Sequence, residues 1–170
     1  MNNKYIIGED IDISAVSLDE LNKVLLFQKE IIDNMVNKDW FVPLTEEEFI
    51  AALVGRDNVY FLLYKDEIIG LFVLTCDVPK VLADYKLPDS NYMLIDSIMI
   101  KEEYRGYGLH KQILQYACER ARRLKMNGLV ASVHPDNKYS LYNFIASGYE
   151  FFDVLIVHGG MRNIYIKRLI

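Results

Sequence analysis

The chain has little of several things that mark special classes of protein. Only two of its 170 residues are cysteine, Cys76 and Cys118, and they form neither a Cys-x-x-Cys pair nor a cluster with histidine. This scarcity suits a reducing cytoplasm and argues against a structural zinc site, so we expect a cytoplasmic protein without a metal. Glycine and proline are also sparse, with nine and four residues. No repeat or low-complexity segment is present, which excludes fibrous and repeat architectures.

Long apolar runs are missing as well. None approaches the roughly 20 residues that span a bilayer, and the first residues, MNNKYIIGEDID, lack the basic-then-apolar pattern of a signal peptide. We therefore expect no membrane partner. Hydrophobic residues nevertheless make up 52% of the chain, so disorder is excluded and one domain over 1–170 with a sizeable core is predicted.

The chain has fewer basic than acidic side chains, 19 against 24. The net charge of −5 argues against a nucleic-acid partner, but the charge is unevenly spread. Residues 1–95 carry 17 acidic and 8 basic side chains, whereas residues 96–170 carry 7 acidic and 11 basic ones. A basic half attracts an anionic ligand and an acidic half attracts a cationic one, although two differently solvated faces would give the same distribution.

The hydrophobic patterns predict a mixed α/β sheet with helices on both faces. A three-to-four spacing of apolar residues indicates helices, and β-rich runs that meet at turn residues indicate hairpins. Thr45 and Glu48 form a capping box at the start of the second helix. In order, the sequence predicts helices over 14–35 and 46–54, a hairpin over 58–78, a polar loop over 79–91, a strand over 92–100, a helix from 109, a strand over 128–134, a helix over 135–148 and a closing hairpin over 149–170.

A break with two glycines separates the strand over 92–100 from the helix that follows. The strand, YMLIDSIMI, is almost continuously apolar, which is typical of burial on both faces. Gly106 and Gly108 let an anion approach the backbone where the helix begins, and amides without an internal partner lie there at the positive end of the helix dipole. Arg105 adds a fixed positive charge. These residues predict a phosphate-binding loop.

The break alone does not specify its ligand. A structural turn would use the same residues. A dinucleotide-binding fingerprint would need a third glycine at the position of Lys111, and the Gly-Lys-Ser/Thr ending of a P-loop is not found.

The segment EEYRGYGLH resembles the pyrophosphate loop of GNAT-superfamily N-acetyltransferases. Their signature is Gln/Arg-x-x-Gly-x-Gly/Ala, and the chain supplies Arg105 and Gly108, with His110 where glycine or alanine is usual. A second segment, NKYSLYNFIASGY, resembles the family's Asn-x-x-Ala-(x)3-Tyr-(x)3-Gly-Phe, in which Asn137 and Gly148 match. The resemblance is strong over 92–150 and weaker over 1–91, where only the order of elements agrees.

The resemblance implies a single-domain GNAT-like fold and acetyl-CoA as cofactor. In such a fold a central, mostly antiparallel twisted sheet contains a splayed parallel strand pair, and one splayed strand offers its backbone to the pantetheine arm. The diphosphate would bind the amides of the glycine break, and the next helix would face the cofactor. The implied cofactor-binding residues are Ile98, Met99, Ile100, Arg105, Gly106, Tyr107, Gly108, Leu109, His110, Asn137, Ser140, Asn143 and Phe144.

The catalytic groups are less completely indicated. Asp96 lies within the apolar strand, where burial would raise its pKa and suit it to act as the general base, but a hydrogen-bonded structural acid would look the same. The tyrosine that serves the family as general acid is replaced by Phe144. Tyr142 is two residues away and therefore about 200° around the helix, so it is no simple substitute.

The sequence thus predicts an acetyl-CoA-dependent N-acetyltransferase that acts on a small-molecule or peptide amine, as a monomer or homodimer. The amine would attack the thioester directly. The alternatives are a non-catalytic acyl-CoA-binding or sensing module on the same fold, which Phe144 favours, and a plain α/β interaction protein whose glycine break is only a turn.

Overall fold

The computed structural model describes residues 10–55, 58–76, 83–89 and 91–169. The first nine residues and parts of the predicted hairpin over 58–78 and loop over 79–91 therefore lie outside the described residues. The strands are β1 (Ile11–Ala15), β2 (Val59–Tyr64), β3 (Glu67–Thr75), β4 (Tyr92–Ile100), β5 (Gly128–Val133), β6 (Glu150–Val157) and β7 (Gly160–Arg168). The helices are α1 (Leu21–Asp33), α2 (Glu46–Val54), α3 (Leu109–Arg123) and α4 (Lys138–Ala146).

The strands form one seven-stranded sheet in the order β1-β2-β3-β4-β5-β7-β6. The described pairings β1–β2, β2–β3, β5–β7 and β6–β7 are antiparallel, and β4 pairs with β5 in parallel. This parallel pair comes about because α3 carries the chain back between the two strands, as a crossover helix must. The predicted mixed, mostly antiparallel sheet is confirmed.

The chain divides into two compact units. β4 begins in the second unit and ends in the first, and α3 begins in the first and continues in the second. The first unit contains the described residues of Met1–Lys38, Pro43–Val73 and Ser97–His110, and the second contains those of Asp39–Val42, Leu74–Asp96 and Lys111–Ile170.

The predicted helix over 14–35 is wrong at its start. Residues 11–15 form β1, which pairs with β2 from Ile11 opposite Tyr64. A short 3-10 turn over Leu18–Glu20 then leads into α1, and the Ser17 amide donates a hydrogen bond of 3.2 Å to the Glu20 carboxylate. Alternation of apolar residues over only five positions is too short to outweigh the longer helical pattern that follows it.

The hairpins predicted over 58–78 and 149–170 each turn through two residues with positive φ, and the residue after each turn, Glu67 or Gly160, already belongs to a strand. Lys65 and Asp66 have φ of 48° and 65°, and His158 and Gly159 have φ of 53° and 74°. Positive φ at both central residues matches the right-handed twist of the flanking strands. The β6–β7 turn therefore presents His158 at an exposed tip.

In the first unit, Gln28 ties α1 to the segment that precedes α2. Its side-chain nitrogen donates to the Leu44 carbonyl at 2.9 Å, and its side-chain oxygen accepts from the Leu44 amide at 3.0 Å. Because both backbone groups of Leu44 are satisfied in this way, a buried polar side chain is compatible with the core.

The three-to-four spacing of the apolar residues after the glycine break predicts one buried stripe from Leu109 to Leu124. This prediction is confirmed at its first five positions, since the following side chains are buried: Leu109, Ile113, Leu114, Ala117 and Ala121. It is wrong for Leu124, whose side chain is exposed. Helix α3 ends at Arg123, so the position of Leu124 no longer follows the helical period.

Candidate functional site

The glycine break forms an exposed loop between β4 and α3. Gly106 and Gly108 have φ of 82° and 79°, a conformation that only glycine adopts at low cost. Within the described chain, a Cβ atom added to either glycine would have no heavy atom closer than 4 Å. Leu109, the next residue, is buried and anchors the first turn of α3. The loop therefore presents uncovered backbone directly before the start of a helix, as an anion site requires.

Arg105 provides the positive charge of this loop. Its side chain is exposed, and its Nε donates a hydrogen bond of 3.1 Å to the carbonyl of Ile100 at the end of β4. Burial lowers the pKa of the His110 imidazole to about 4, so this side chain is neutral near pH 7. Of the two side chains, only that of Arg105 therefore contributes charge to the loop.

The end of β4 is held to the start of β3 around one carboxylate. Lys101 Nζ lies 3.0 Å from Glu67, and the Tyr104 hydroxyl donates to the same carboxylate at 2.9 Å. Both hydrogen bonds lower the pKa of the Glu67 carboxyl, and the bond from Lys101 has the larger effect. These contacts fix both ends of the short 3-10 turn over Glu102–Tyr104, which leads into the glycine break.

The parallel pairing of β4 with β5 ends before either strand does. The last paired residues are Ile95 and Ala131, although β4 continues to Ile100 and β5 to Val133. On its other side the β4 segment stays close to β3, because the Lys101 amide donates to the Ile69 carbonyl at 3.0 Å. The backbone of residues 98–100 therefore lies beyond the parallel register, as the prediction of a splayed strand pair requires.

Helix α4 carries the second set of predicted cofactor residues. Asn137 is its N-cap, and its side-chain oxygen accepts a hydrogen bond of 3.2 Å from the Ser140 amide. Asn143 is half-buried. The Phe144 ring is buried, with its centroid 5.1 Å from that of Tyr149 and 6.5 Å from that of Tyr165. Asn137 thus shapes the start of the helix, and Phe144 packs in an aromatic cluster.

Asp96 is not buried, so the environment predicted for it is wrong. Its neighbours Ile95 and Ser97 are buried, whereas the Asp96 side chain is exposed. The apolar residues of this strand predict burial on both faces. They do not show that one face becomes exposed to solvent directly after the last residue that pairs with β5. Asp96 is the first β4 residue beyond that pair.

In the second unit, Asp96 belongs to a group of polar residues whose other members the sequence did not indicate as site residues. We call Tyr85, Asp96, Ser132, His158 and Arg162 the Tyr85 cluster. The Tyr85 ring is 1% exposed and packs in the core. Its hydroxyl oxygen lies 3.1 Å from Nε2 of His158 and is hydrogen-bonded to Ser132. Burial, more than any other cause, raises the pKa of Tyr85; the charge of Asp96 raises it further and that of Arg162 lowers it.

Alternation along the strands explains why this cluster forms. Tyr92 and Leu94 on β4, Val130 on β5, and Ile164 on β7 belong to one core cluster with Tyr85. Side chains two residues apart lie on the same face of a strand. Asp96 and Ser132 are each the next residue on that face, and Ser132 lies opposite Ile164. Arg162 follows Ile164 on the same face, one step further along β7, so apolar side chains give way to polar ones toward this end of the strands.

Arg162 is a buried cation held by carbonyl oxygens. It is 6% exposed and donates to the carbonyls of Met161 at 2.8 Å and Asp39 at 3.2 Å. The same loop places the Trp40 ring on His134, with centroids 6.2 Å apart, and the Asp39 carboxylate 3.7 Å from His134 Nε2. Trp40 thus packs on His134, the residue that directly follows β5.

The signals for the Tyr85 cluster in the sequence are weak. Arg162 lies in the strand GMRNIYIKR, which also contains an asparagine and two further basic residues, so the sequence does not mark it as a buried arginine. Tyr85 lies in a segment predicted only as a polar loop, and Ser132 is an ordinary strand residue. Within the described ranges no group of histidine, cysteine, aspartate and glutamate could hold a metal ion. Helices long and apolar enough to cross a membrane are likewise not found in the described part of the chain.

Comparison with known families gives a clear match. The model of the Acetyltransferase (GNAT) family matches residues 29–148, which is more than half of the chain and includes both the glycine break and α4. No curated protein sequence matches the chain.

Solved structures with a similar fold include three bacterial examples. An N-acetyltransferase from Staphylococcus aureus has a TM-score of 0.70 at 18% identity, over 94% of this chain and 99% of that one. A GNAT-family acetyltransferase from Listeria monocytogenes has a TM-score of 0.75 at 11% identity, over 94% and 95%. The protein yncA from Salmonella typhimurium, solved with its cofactor acetyl-CoA, has a TM-score of 0.67 at 14% identity, over 95% of each chain. At these identities the likeness concerns the fold alone, and it confirms the predicted fold.

Proposed function

Because the chain belongs to the acetyltransferase (GNAT) family, we propose that it transfers the acetyl group of acetyl-CoA to a primary amine. The observation that carries the proposal is the glycine break. It lies inside the matched segment, and both of its glycines are left-handed, exposed and open to a ligand. The yncA structure, which shares this fold, was solved with acetyl-CoA. The acceptor is a small-molecule or peptide amine, and the acidic half of the chain suits a cationic one.

In this proposal acetyl-CoA binds along the segments that the family resemblance indicates. The diphosphate binds the amides of residues 105–110, with Arg105 as the nearby cation. The pantetheine arm follows the backbone of residues 98–100, which lies beyond the parallel register. Asn137 and Ser140 face the cofactor from the start of α4 and Asn143 from its second half, while Phe144 supports that helix by packing.

Asp96 is the proposed general base. An alkyl ammonium has a pKa near ~10, so it must lose a proton before its nitrogen can attack. The carboxylate of Asp96 takes that proton, the new C–N bond forms and the C–S bond breaks. The thiolate leaves and is protonated with the second proton that the nitrogen loses. A thiol pKa near ~8.5 makes the thiolate a tolerable leaving group even without a dedicated acid. The exposure of Asp96 supports this role, since an acceptor can reach it from solvent.

A panel of primary amines with acetyl-CoA tests the proposal, with release of the CoA thiol as the readout. In Asp96→Asn, kcat/KM with the best amine of the panel is expected to fall about 10²–10⁴-fold, because the base is lost. Acetyl-CoA binding is expected to be retained. The matched control is Asp12→Asn, since Asp12 is also an exposed aspartate within a strand but lies on β1. This control is expected to keep the wild-type rate.

The second candidate function is a non-catalytic acyl-CoA-binding or sensing module. The observation that favours it is Phe144, which occupies the position of the family's tyrosine and is fully used in packing. Acetyl-CoA binding without transfer to any amine would support this candidate against the enzyme. A folded protein that does not bind acetyl-CoA at all would contradict both and leave an α/β interaction protein.

A further inference from the structure

We infer that Tyr85 and His158 form a proton relay that carries the proton of the acceptor amine from Asp96 to solvent. The inference rests on the proposed function and goes beyond it, because it assigns two residues outside the family's signature segments to the reaction. Asp96 is exposed in the free protein, so the relay acts while a bound acceptor separates its carboxylate from solvent.

The geometry of the relay follows from one hydrogen bond between a buried and an exposed side chain. The Tyr85 hydroxyl oxygen lies 3.1 Å from Nε2 of His158. Tyr85 is 1% exposed, whereas His158 lies at the exposed tip of the β6–β7 turn. A proton that reaches the buried hydroxyl therefore has a path to solvent through an imidazole.

The other end of the relay is Asp96. Asp96 follows Leu94 by two residues on the face of β4 that packs with Tyr85 in one core cluster. Its charge adds to the larger effect of burial in raising the pKa of Tyr85. The charge of Asp84 also raises the pKa of Tyr85 and that of Arg162 lowers it; together with Asp96 these are the charged groups of the described ranges that act on the hydroxyl. Tyr85 consequently stays protonated near pH 7. A hydroxyl donates and accepts at once, which a relay requires.

The proton count of the relay is balanced. Asp96 takes one proton from the ammonium group and passes it to the Tyr85 oxygen, while the proton of Tyr85 moves to the unprotonated Nε2 of a neutral His158. The resulting imidazolium releases a proton to water. The second proton of the amine nitrogen goes to the leaving thiolate. Acetyl transfer thus yields an amide, a thiol and one proton in solution. A histidine is suited to the last step because it titrates near neutral pH.

A purely structural role for the same contact predicts different behaviour. If the Tyr85–His158 bond only ties the segment over 83–89 to the β6–β7 turn, its loss lowers stability and leaves the pH dependence of the reaction unchanged. The test therefore measures the pH profile as well as the rate.

The first measurement is an NMR titration of the imidazoles, which is practical because the chain has three histidines. In Tyr85→Phe, the midpoint of the His158 titration is expected to rise by about half a pH unit, because the neutral imidazole loses a hydrogen-bond donor. The His110 imidazole, whose pKa burial lowers to about 4, serves as the internal control and is expected to keep its midpoint. An unchanged His158 midpoint would overturn the inference.

The second measurement is the pH profile of kcat with the best amine of the panel. Tyr85→Phe and His158→Asn are each expected to lower kcat about tenfold to a hundredfold, to move the acidic limb of the profile and to leave the KM for acetyl-CoA unchanged. Asparagine tolerates the left-handed backbone at position 158, so this variant keeps the turn. Added imidazole is expected to restore part of the rate of His158→Asn. Tyr142→Phe, on an exposed tyrosine, is the control.

The outcomes distinguish a failure of the relay from a failure of the proposed acetyl transfer. A wild type that acetylates an amine, with folded Tyr85→Phe and His158→Asn variants that keep its kcat and pH profile, would contradict the relay and leave the proposed function intact. A wild type that acetylates no amine would contradict the proposed function, and the relay would fall with it. If Tyr85→Phe does not fold, His158→Asn decides alone.

Discussion

Replacement of Gly108 by tryptophan is expected to abolish the binding of acetyl-CoA to an otherwise folded protein. Gly108 is exposed, and no heavy atom in the described ranges lies within 4 Å of a Cβ built there, so the indole would occupy the space proposed for the diphosphate. In the wild type, acetyl-CoA at 100 times its Kd is expected to add roughly 2.7 kcal/mol to the free energy of unfolding. The variant is expected to lose this gain, which a thermal shift assay measures.

Gly159→Trp is the matched control for this experiment. Gly159 also has a positive φ, 74°, and open space around its added Cβ as far as the described chain is concerned, but it lies in the β6–β7 turn. Both variants carry the same strain of a non-glycine residue in the left-handed region, about 1–2 kcal/mol. A loss of binding in both would show a general effect of the tryptophan. Binding retained in a folded Gly108→Trp would remove the glycine break from the cofactor site.

The second large effect is expected at Phe144. Phe144→Ala removes a ring that is 4% exposed and packed on Tyr149 and Tyr165. Truncation of a buried aromatic side chain costs about 3–5 kcal/mol, because apolar contacts are lost and a cavity remains. Urea denaturation followed by circular dichroism measures this change in the free energy of unfolding.

Tyr142 offers the comparison on the same helix. Its side chain is exposed, so Tyr142→Ala is expected to change stability by no more than about 0.5 kcal/mol. Equal effects of the two substitutions would contradict the assignment of Phe144 to the core. They would return the residue to the cofactor face that the family resemblance implies.

The parts of the site that could be predicted are those that depend on local backbone geometry. Gly106 and Gly108 need a left-handed conformation, and Asn137 caps a helix that begins at the next residue. Such requirements act within a few residues and leave a readable pattern. The fold was predictable for a related reason, since the hydrophobic periods of most elements are long enough to be unambiguous.

The parts of the site that could not be predicted depend on which strands become neighbours in the sheet. Tyr85, Ser132 and His158 are far apart in the sequence and meet only through the strand order and register of the second unit. The exposure of Asp96 depends on where the parallel pairing ends, which no single strand encodes. Strand β1 was missed because its five residues carry too short a pattern.

The backbone conformation of His158 gives the β6–β7 turn an energetic cost. A residue with a Cβ atom at φ of 53° is less favourable there than glycine, by about 1 kcal/mol. With the proposed relay, a histidine at this position lowers the stability of the turn and raises the rate of acetyl transfer. Selection for thermal resistance alone would favour Asn-Gly at this turn, and selection for turnover would keep the imidazole.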